Sequence, residues 1–145
     1  VTSRGDAIAA RARALVGTPY RPKGRTRDGL DCAGLAAIAF GFPPAAVPRG
    51  YGRRSTGLDL LAAQLERLGL APAGAESPAP GDLLVFRTGL GQLHLGIATG
   101  TGFVHADAGS LRAVERPFPP PWPIAAVWRL EFRQKAEPDP WQHSS

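Results

Sequence analysis

The stretch GLDCAGLAAIAF, Gly29–Phe40, contains the only cysteine among 145 residues. From Cys32 onward it is apolar nearly all round, which describes a helix buried on most sides, and Gly41 with the two prolines at 43 and 44 ends it. Asp31 suits the N-cap, because a short carboxylate accepts from the first unpaired backbone N–H groups of a helix. Cys32 then stands at the helix start, where the positive end of the backbone dipole favours thiolate over thiol. Gly34, one turn in, is expected to leave room for a substrate to approach the backbone. The position also suits an inert core thiol, since free cysteine is among the most buried residue types.

Outward from this segment, Ile8, Ala9, Ala12, Leu15 and Val16 follow helical spacing and predict an amphipathic helix over about Asp6–Val16. GTPYRPKGRTRDG reads as a loop and FPPAAVPRGYGRR as a connector. STGLDLLAAQLERLG predicts a third helix, with Leu58, Leu61, Leu65 and Leu68 along one stripe and Gly69 as its stop. APAGAESPAPG reads as a proline-rich loop. After Gly81 the pattern changes: DLLVF, LHLGIAT, FVHAD, RAVE and IAAVWRLEF are short and punctuated by turn residues, which predicts an antiparallel meander. Helices first and strands second define an α+β domain, N-terminal helices packed on a C-terminal antiparallel sheet. One domain over 1–134 is expected, with 135–145 as a flexible tail.

A single cysteine excludes an internal disulfide and any CxxC metal knuckle. The formal charge of +5 comes mostly from arginine, but the arginines are scattered rather than interleaved with stacking aromatics, so no nucleic-acid partner is expected. No apolar run approaches the roughly 20 residues that span a bilayer, and the first residues lack the segments of a signal peptide. The expectation is a chain without membrane insertion and without its own export signal.

His94 and His105 lie in successive predicted strands joined by TGTG, a tight-turn composition. Across a two-residue turn their numbering places them on one face of the hairpin, opposite each other or offset by two. A one-residue slip would separate them. An imidazole beside a thiol can act as the base that forms thiolate, and a second polar group can orient the first. Cys32, His94 and His105 supply those roles, while His143 reads as a surface residue of the tail. Zinc is the alternative, with Asp31 or Asp107 as a fourth ligand, but none of the usual close ligand spacings occurs, and neither metal nor cofactor is expected.

GTPYRPKG, DCAGL, PGDLLVF and HLGIATGTGFVHAD, in this order and spacing, resemble the NlpC/P60 family of cell-wall cysteine peptidases. The likeness runs from about Ala7 to Leu130 and implies a papain-like α+β fold. It implies Cys32 as nucleophile, His94 as general base and His105 as the residue that orients the base. It implies Tyr20 and Asp31 as substrate-binding positions, Tyr20 lining the site and Asp31 contacting substrate or capping the helix. Ala33 stands where relatives often carry a serine that helps bind the amino end of the peptide.

The helix-start thiol and the paired histidines suggest amide hydrolysis through a thioester, with the Cys32 backbone N–H in the oxyanion hole, and the resemblance implies peptidoglycan stem peptides as substrate, at a γ-D-glutamyl–diaminopimelate or related bond. PPPWPIAAVWRL and the compact chain look most like the phage tail-tip and gene-transfer-agent subgroup. Tail-tip or baseplate proteins would then be partners, and a particle would carry the protein to the cell wall. Two rivals stay open: a catalytically silent tail-tip adaptor, and an acyltransferase using the same Cys–His pair.

Overall fold

The computed structural model describes residues 3–43, 57–89 and 92–131. The connector at 42–54 lies largely outside them, and the tail at 135–145 with His143 lies wholly outside. Three helices, α1 (Arg4–Arg13), α2 (Cys32–Phe40) and α3 (Gly57–Arg67), are followed by most of the strands. The strands are β1 (Arg25–Thr26), β2 (Gly29–Leu30), β3 (Leu70–Ala73), β4 (Leu83–Gly89), β5 (Gln92–Ala98), β6 (Gly102–Asp107), β7 (Arg112–Pro117) and β8 (Ile124–Leu130). The α+β expectation holds.

α2 begins and ends where its local signals place it. The Asp31 carboxylate accepts from Gly34 N–H at 2.8 Å, and Gly41, at φ +81°, adopts the left-handed conformation that closes the helix, its N–H and that of Phe42 both reaching the Ala37 carbonyl. Leu35, Ala37 and Ala39 are almost fully buried. α1 is capped by Ser3, which accepts from Asp6 N–H at 3.0 Å. It stops at Arg13, short of the expected Val16, whose side chain is exposed. Arg11 of α1 donates to the Ala39 carbonyl at 2.8 Å, a cation on the negative end of α2. In α3, Leu61 and Leu65 are buried, with Leu58 and Leu68 packed beside the same core.

The sheet is antiparallel, but it is not the expected meander. Its order is β3-β8-β4-β5-β6-β7, so the last strand returns between β3 and β4. The segment read as loop from Ala71 begins with an edge strand, Leu70–Ala73 paired to Val127–Leu130. Proline survives at Pro72 because an edge strand need not donate on both sides. The loop after α1 likewise holds the small β1–β2 hairpin.

Alternation along the strands divides the core in two. Leu83, Val85, Leu93, Leu95, Ile97, Val104 and Ala106 join the helices in one cluster. Leu84, Phe86, Ala98, Phe103 and Val127 form a second, against which Phe118, Trp122 and Ile124 pack.

Asp82 anchors the start of β4. Its buried carboxylate accepts from Ala79 N–H at 2.8 Å and takes Arg129 of β8 in two bonds of 2.8 and 2.9 Å. Arg129 is half exposed and can rehydrate once its partner is gone, which keeps the loss below that of a fully buried pair. Asp82→Ala is expected to lower unfolding free energy by about 2 kcal/mol, read from urea midpoints, with Asp82→Asn losing less because its amide oxygen can still accept from Ala79. A change within about 0.5 kcal/mol of zero would show that the pair contributes nothing.

Candidate active site

The loop before α2 is held by the same carboxylate that caps it. Asp31 gives one oxygen to Gly34 N–H and the other to Lys23 N–H at 3.1 Å. Asp31 N–H in turn donates to the Gly24 carbonyl at 3.1 Å. The space expected beside Gly34 for a substrate is filled by the chain itself. A Cβ at Gly34 would collide with the Gly24 carbonyl oxygen, so this glycine serves helix–loop packing. Ala33 is buried in the main core.

Tyr20 is drawn to this helix start by its backbone. Its N–H donates to the Leu111 carbonyl at 2.9 Å and it bridges to Leu30, two residues before Cys32. Burial raises the phenol above its ordinary value of 10.0, and the nearness of Cys32 and Asp31 raises it further. Tyr20 is therefore a proton-bearing donor at neutral pH. Cys32 carries a partly buried thiol and, like Tyr20, packs against the helical core.

The histidines form the second half of the site. Thr99–Gly102 is a tight turn closed by Thr99 N–H to the Gly102 carbonyl at 2.8 Å, and the β5–β6 ladder pairs Ile97 with Val104 and Ala98 with Phe103. In that register His94 and His105 are offset by two and share a face, as their parity requires. His94 Nε2 and His105 Nδ1 are 2.7 Å apart, with the rings nearly perpendicular at 87°.

Both imidazoles lie on the sheet face of the second cluster. Phe86 stands directly across the ladder from His94, Phe103 lies beside His105, and the Trp122 ring meets the edges of both histidines at 5.4 and 5.5 Å. His105 is fully buried. Burial lowers each histidine from 6.5 to about 4. For His94, the charge of His105 and then of Arg116 adds to this while Asp107 opposes; for His105, Asp107 opposes and Arg116 adds. Both rings are neutral at pH 7.

Two residues absent from the sequence reading complete the surroundings. Arg116 of β7, paired with Phe103 of β6, donates from Nε to His105 Nε2 at 3.1 Å. It also lies over the Trp122 ring at 5.7 Å and 4.0 Å from the Asp107 carboxylate. Alternation in RAVER does put Arg112, Val114 and Arg116 on one side, but only the β6–β7 register shows that this side carries the histidines. The two carboxylates that the sequence offers as a fourth zinc ligand make other bonds: Asp31 caps α2, and Asp107 accepts from Gly109 N–H and Ser110 Oγ. Among the described residues, no three His, Cys, Asp or Glu side chains gather into a metal-holding group.

The candidate residues thus fall into two groups, a helix-start thiol with a tyrosine nearby and a hydrogen-bonded histidine pair on the sheet. α2 packs on β5 and β6, its buried residues joining the first cluster while the imidazoles stand on the face of the second. This is the architecture of an α+β protein with a cysteine-bearing helix on a histidine-bearing antiparallel sheet. Residues 17–123 match the model of the NlpC/P60 family, and the chain belongs to that family.

The probable endopeptidase NlpC of Escherichia coli is 34% identical over 95 residues, covering 63% of this chain and 54% of that protein. The murein DD-endopeptidase MepS/murein LD-carboxypeptidase of the same species is 32% identical over 96 residues, covering 65% and 45%. The chain thus spans about half the length of the curated relatives it matches. Among solved structures, NlpC1 from Trichomonas vaginalis superposes with a TM-score of 0.65 at 22% identity, over 89% of this chain and 45% of that one. The NlpC/p60 domain of the peptidoglycan hydrolase SagA superposes with a TM-score of 0.55 at 26% identity, over 83% and 97%.

Proposed function

We propose that this protein is a cysteine peptidase that hydrolyses amide bonds in peptidoglycan stem peptides, of the γ-D-glutamyl–diaminopimelate type, using Cys32, His94 and His105. The observation that carries the reading is the 2.7 Å His94–His105 bond on the strands against which the cysteine-bearing helix packs. Family membership supports it, as do the relatives named as an endopeptidase, a murein DD-endopeptidase and a peptidoglycan hydrolase.

With Nε2 engaged by His105, Nδ1 is the His94 nitrogen left to take the thiol proton. The Cys32 thiolate attacks the substrate carbonyl. The resulting oxyanion is stabilised by the positive end of α2 and by the Tyr20 phenol, a donor at neutral pH. Collapse forms a thioester as His94 returns the proton to the leaving amine. Water, giving a proton to His94, then releases the acid and restores the thiol. Asp31 holds Tyr20 and Cys32 in register through the loop it ties down, and both residues border the substrate.

Delivery to the wall as a tail-tip component of a phage-like particle belongs to the same proposal. It rests on the likeness of PPPWPIAAVWRL to that subgroup.

Digestion of purified sacculi with mass analysis of the soluble products tests the activity. The expected products are stem-peptide fragments cut at a γ-D-glutamyl bond, formed in the presence of chelator and blocked by iodoacetamide. No release above a heat-inactivated control would overturn the reading.

A further inference from the structure

Hydrogen bonds in series fix where the protons of the histidine pair sit. A guanidinium only donates, so the 3.1 Å bond from Arg116 Nε makes His105 Nε2 an acceptor. A neutral imidazole carries its one proton on the other nitrogen, so His105 Nδ1 donates across the 2.7 Å contact to His94 Nε2. His94 Nε2 therefore accepts, and the His94 proton resides on Nδ1.

A base working through Nδ1 needs the reverse. It needs a lone pair on His94 Nδ1 and, once charged, an Nε2–H donated to His105 Nδ1. The proton of His105 would then have to sit on Nε2, the atom at which the Arg116 N–H points.

We infer that Arg116 is a tautomer latch: bonded to His105, it holds the His94–His105 pair in the proton arrangement that cannot accept a proton from Cys32, and its release makes His94 a base. On release, solvent gives a proton to His105 Nε2, the His105 Nδ1 proton passes to His94 Nε2, and the His94 Nδ1 proton leaves to solvent. Arg116 is a positioning residue, acting on the thiol through two imidazoles. The inference rests on the assignment of His94 as the base.

The surroundings give the arginine a place to go. Its side chain is 41% exposed, its Nη2 is 4.0 Å from the Asp107 carboxylate, and it lies over the Trp122 face. Retreat toward Asp107 keeps the charge compensated and solvated.

The charged and titratable groups around His105 come from all three adjoining strands: His94 on β5, Asp107 on β6 and Arg116 on β7. The Phe103 and Trp122 rings cover the remainder. Arg116 depresses both histidines and Asp107 opposes it.

Long-range nitrogen–proton NMR of the imidazoles at pH 7 reads the tautomers directly. In the wild type, His105 is expected to be protonated on Nδ1 and His94 on Nδ1. In Arg116→Met, the His105 proton should move to Nε2 and His94 Nδ1 should lose its proton. Alkylation of Cys32 by iodoacetamide should then accelerate about tenfold, as a base becomes available to the thiol. Arg116→Lys, which retains a cationic donor, should return both readouts toward the wild type.

A wild-type His105 protonated on Nε2, unchanged tautomers in Arg116→Met, or a tautomer shift with no rise in alkylation would each overturn the latch. Neither readout involves peptide hydrolysis. Uncut sacculi with the expected tautomers would sink the peptidase reading alone, and cut sacculi with unchanged tautomers would sink the latch alone.

Discussion

Cys32→Ala is expected to leave a folded protein that releases no measurable peptide from sacculi, a loss of at least about 10³-fold. The size follows from the chemistry: without sulfur there is no thioester, and Cys32 is the chain's one thiol. Structural damage should be slight. The thiol is only partly buried, and alanine is the best helix former. The Asp31 cap uses the N–H of Gly34, which the substitution leaves in place. Unfolding in urea should change by less than about 1 kcal/mol, so lost activity cannot be blamed on lost fold. Peptide release by this variant within about tenfold of the wild type would remove Cys32 from the nucleophile's role and favour a silent or differently catalysed module.

How much of this was legible depends on how local each signal is. The bounds of α2 could be read because Asp31 and Gly41, its cap and its stop, act within a few residues of the helix. The histidine pair could be read because parity along a tight hairpin survives an offset of two, and the observed register uses that offset. The position of β8 between β3 and β4 could not, since nothing in IAAVWRL names its neighbours and the pairing spans long sequence separations. β3 was missed because Leu-Ala-Pro-Ala has the composition of a loop. Its place at the sheet edge is what lets proline stay.

The same distinction separates the residues of the site. Arg116 and Trp122 reach His105 only through the β6–β7 register and the return of the chain toward β8. Gly34 shows the converse error. A glycine next to a reactive thiol suggested access for substrate, but a close approach of backbone to backbone makes the same demand, and Gly24 meets it. Sequence shows that something comes near. It does not say what.

His94→Gln is expected to lower peptide release by about 10²–10⁴-fold, the usual contribution of a positioned general base. Combining it with Cys32→Ala should cost no more than Cys32→Ala alone, because the two side chains act as a unit. Glutamine retains a polar group for His105 Nδ1 but cannot take up a proton, so the fold should persist while the chemistry stops.

The substitution should also alter acid stability in a direction that can be worked out. In the folded protein both histidines lie at about 4, against the ordinary 6.5 of histidine in the unfolded chain. Between those values the unfolded chain binds protons that the native state refuses, so stability rises with pH across the window. The contribution is whole above about 6.5 and is lost as pH falls toward 4. His94→Gln removes one of the two groups and should flatten the fall in unfolding free energy between these limits, measured by urea titrations at successive pH values. An unchanged slope would mean that His94 protonates in the folded protein as readily as in the unfolded one. Its burial beside Phe86 and Trp122 would then present no barrier to the charge that a base must carry.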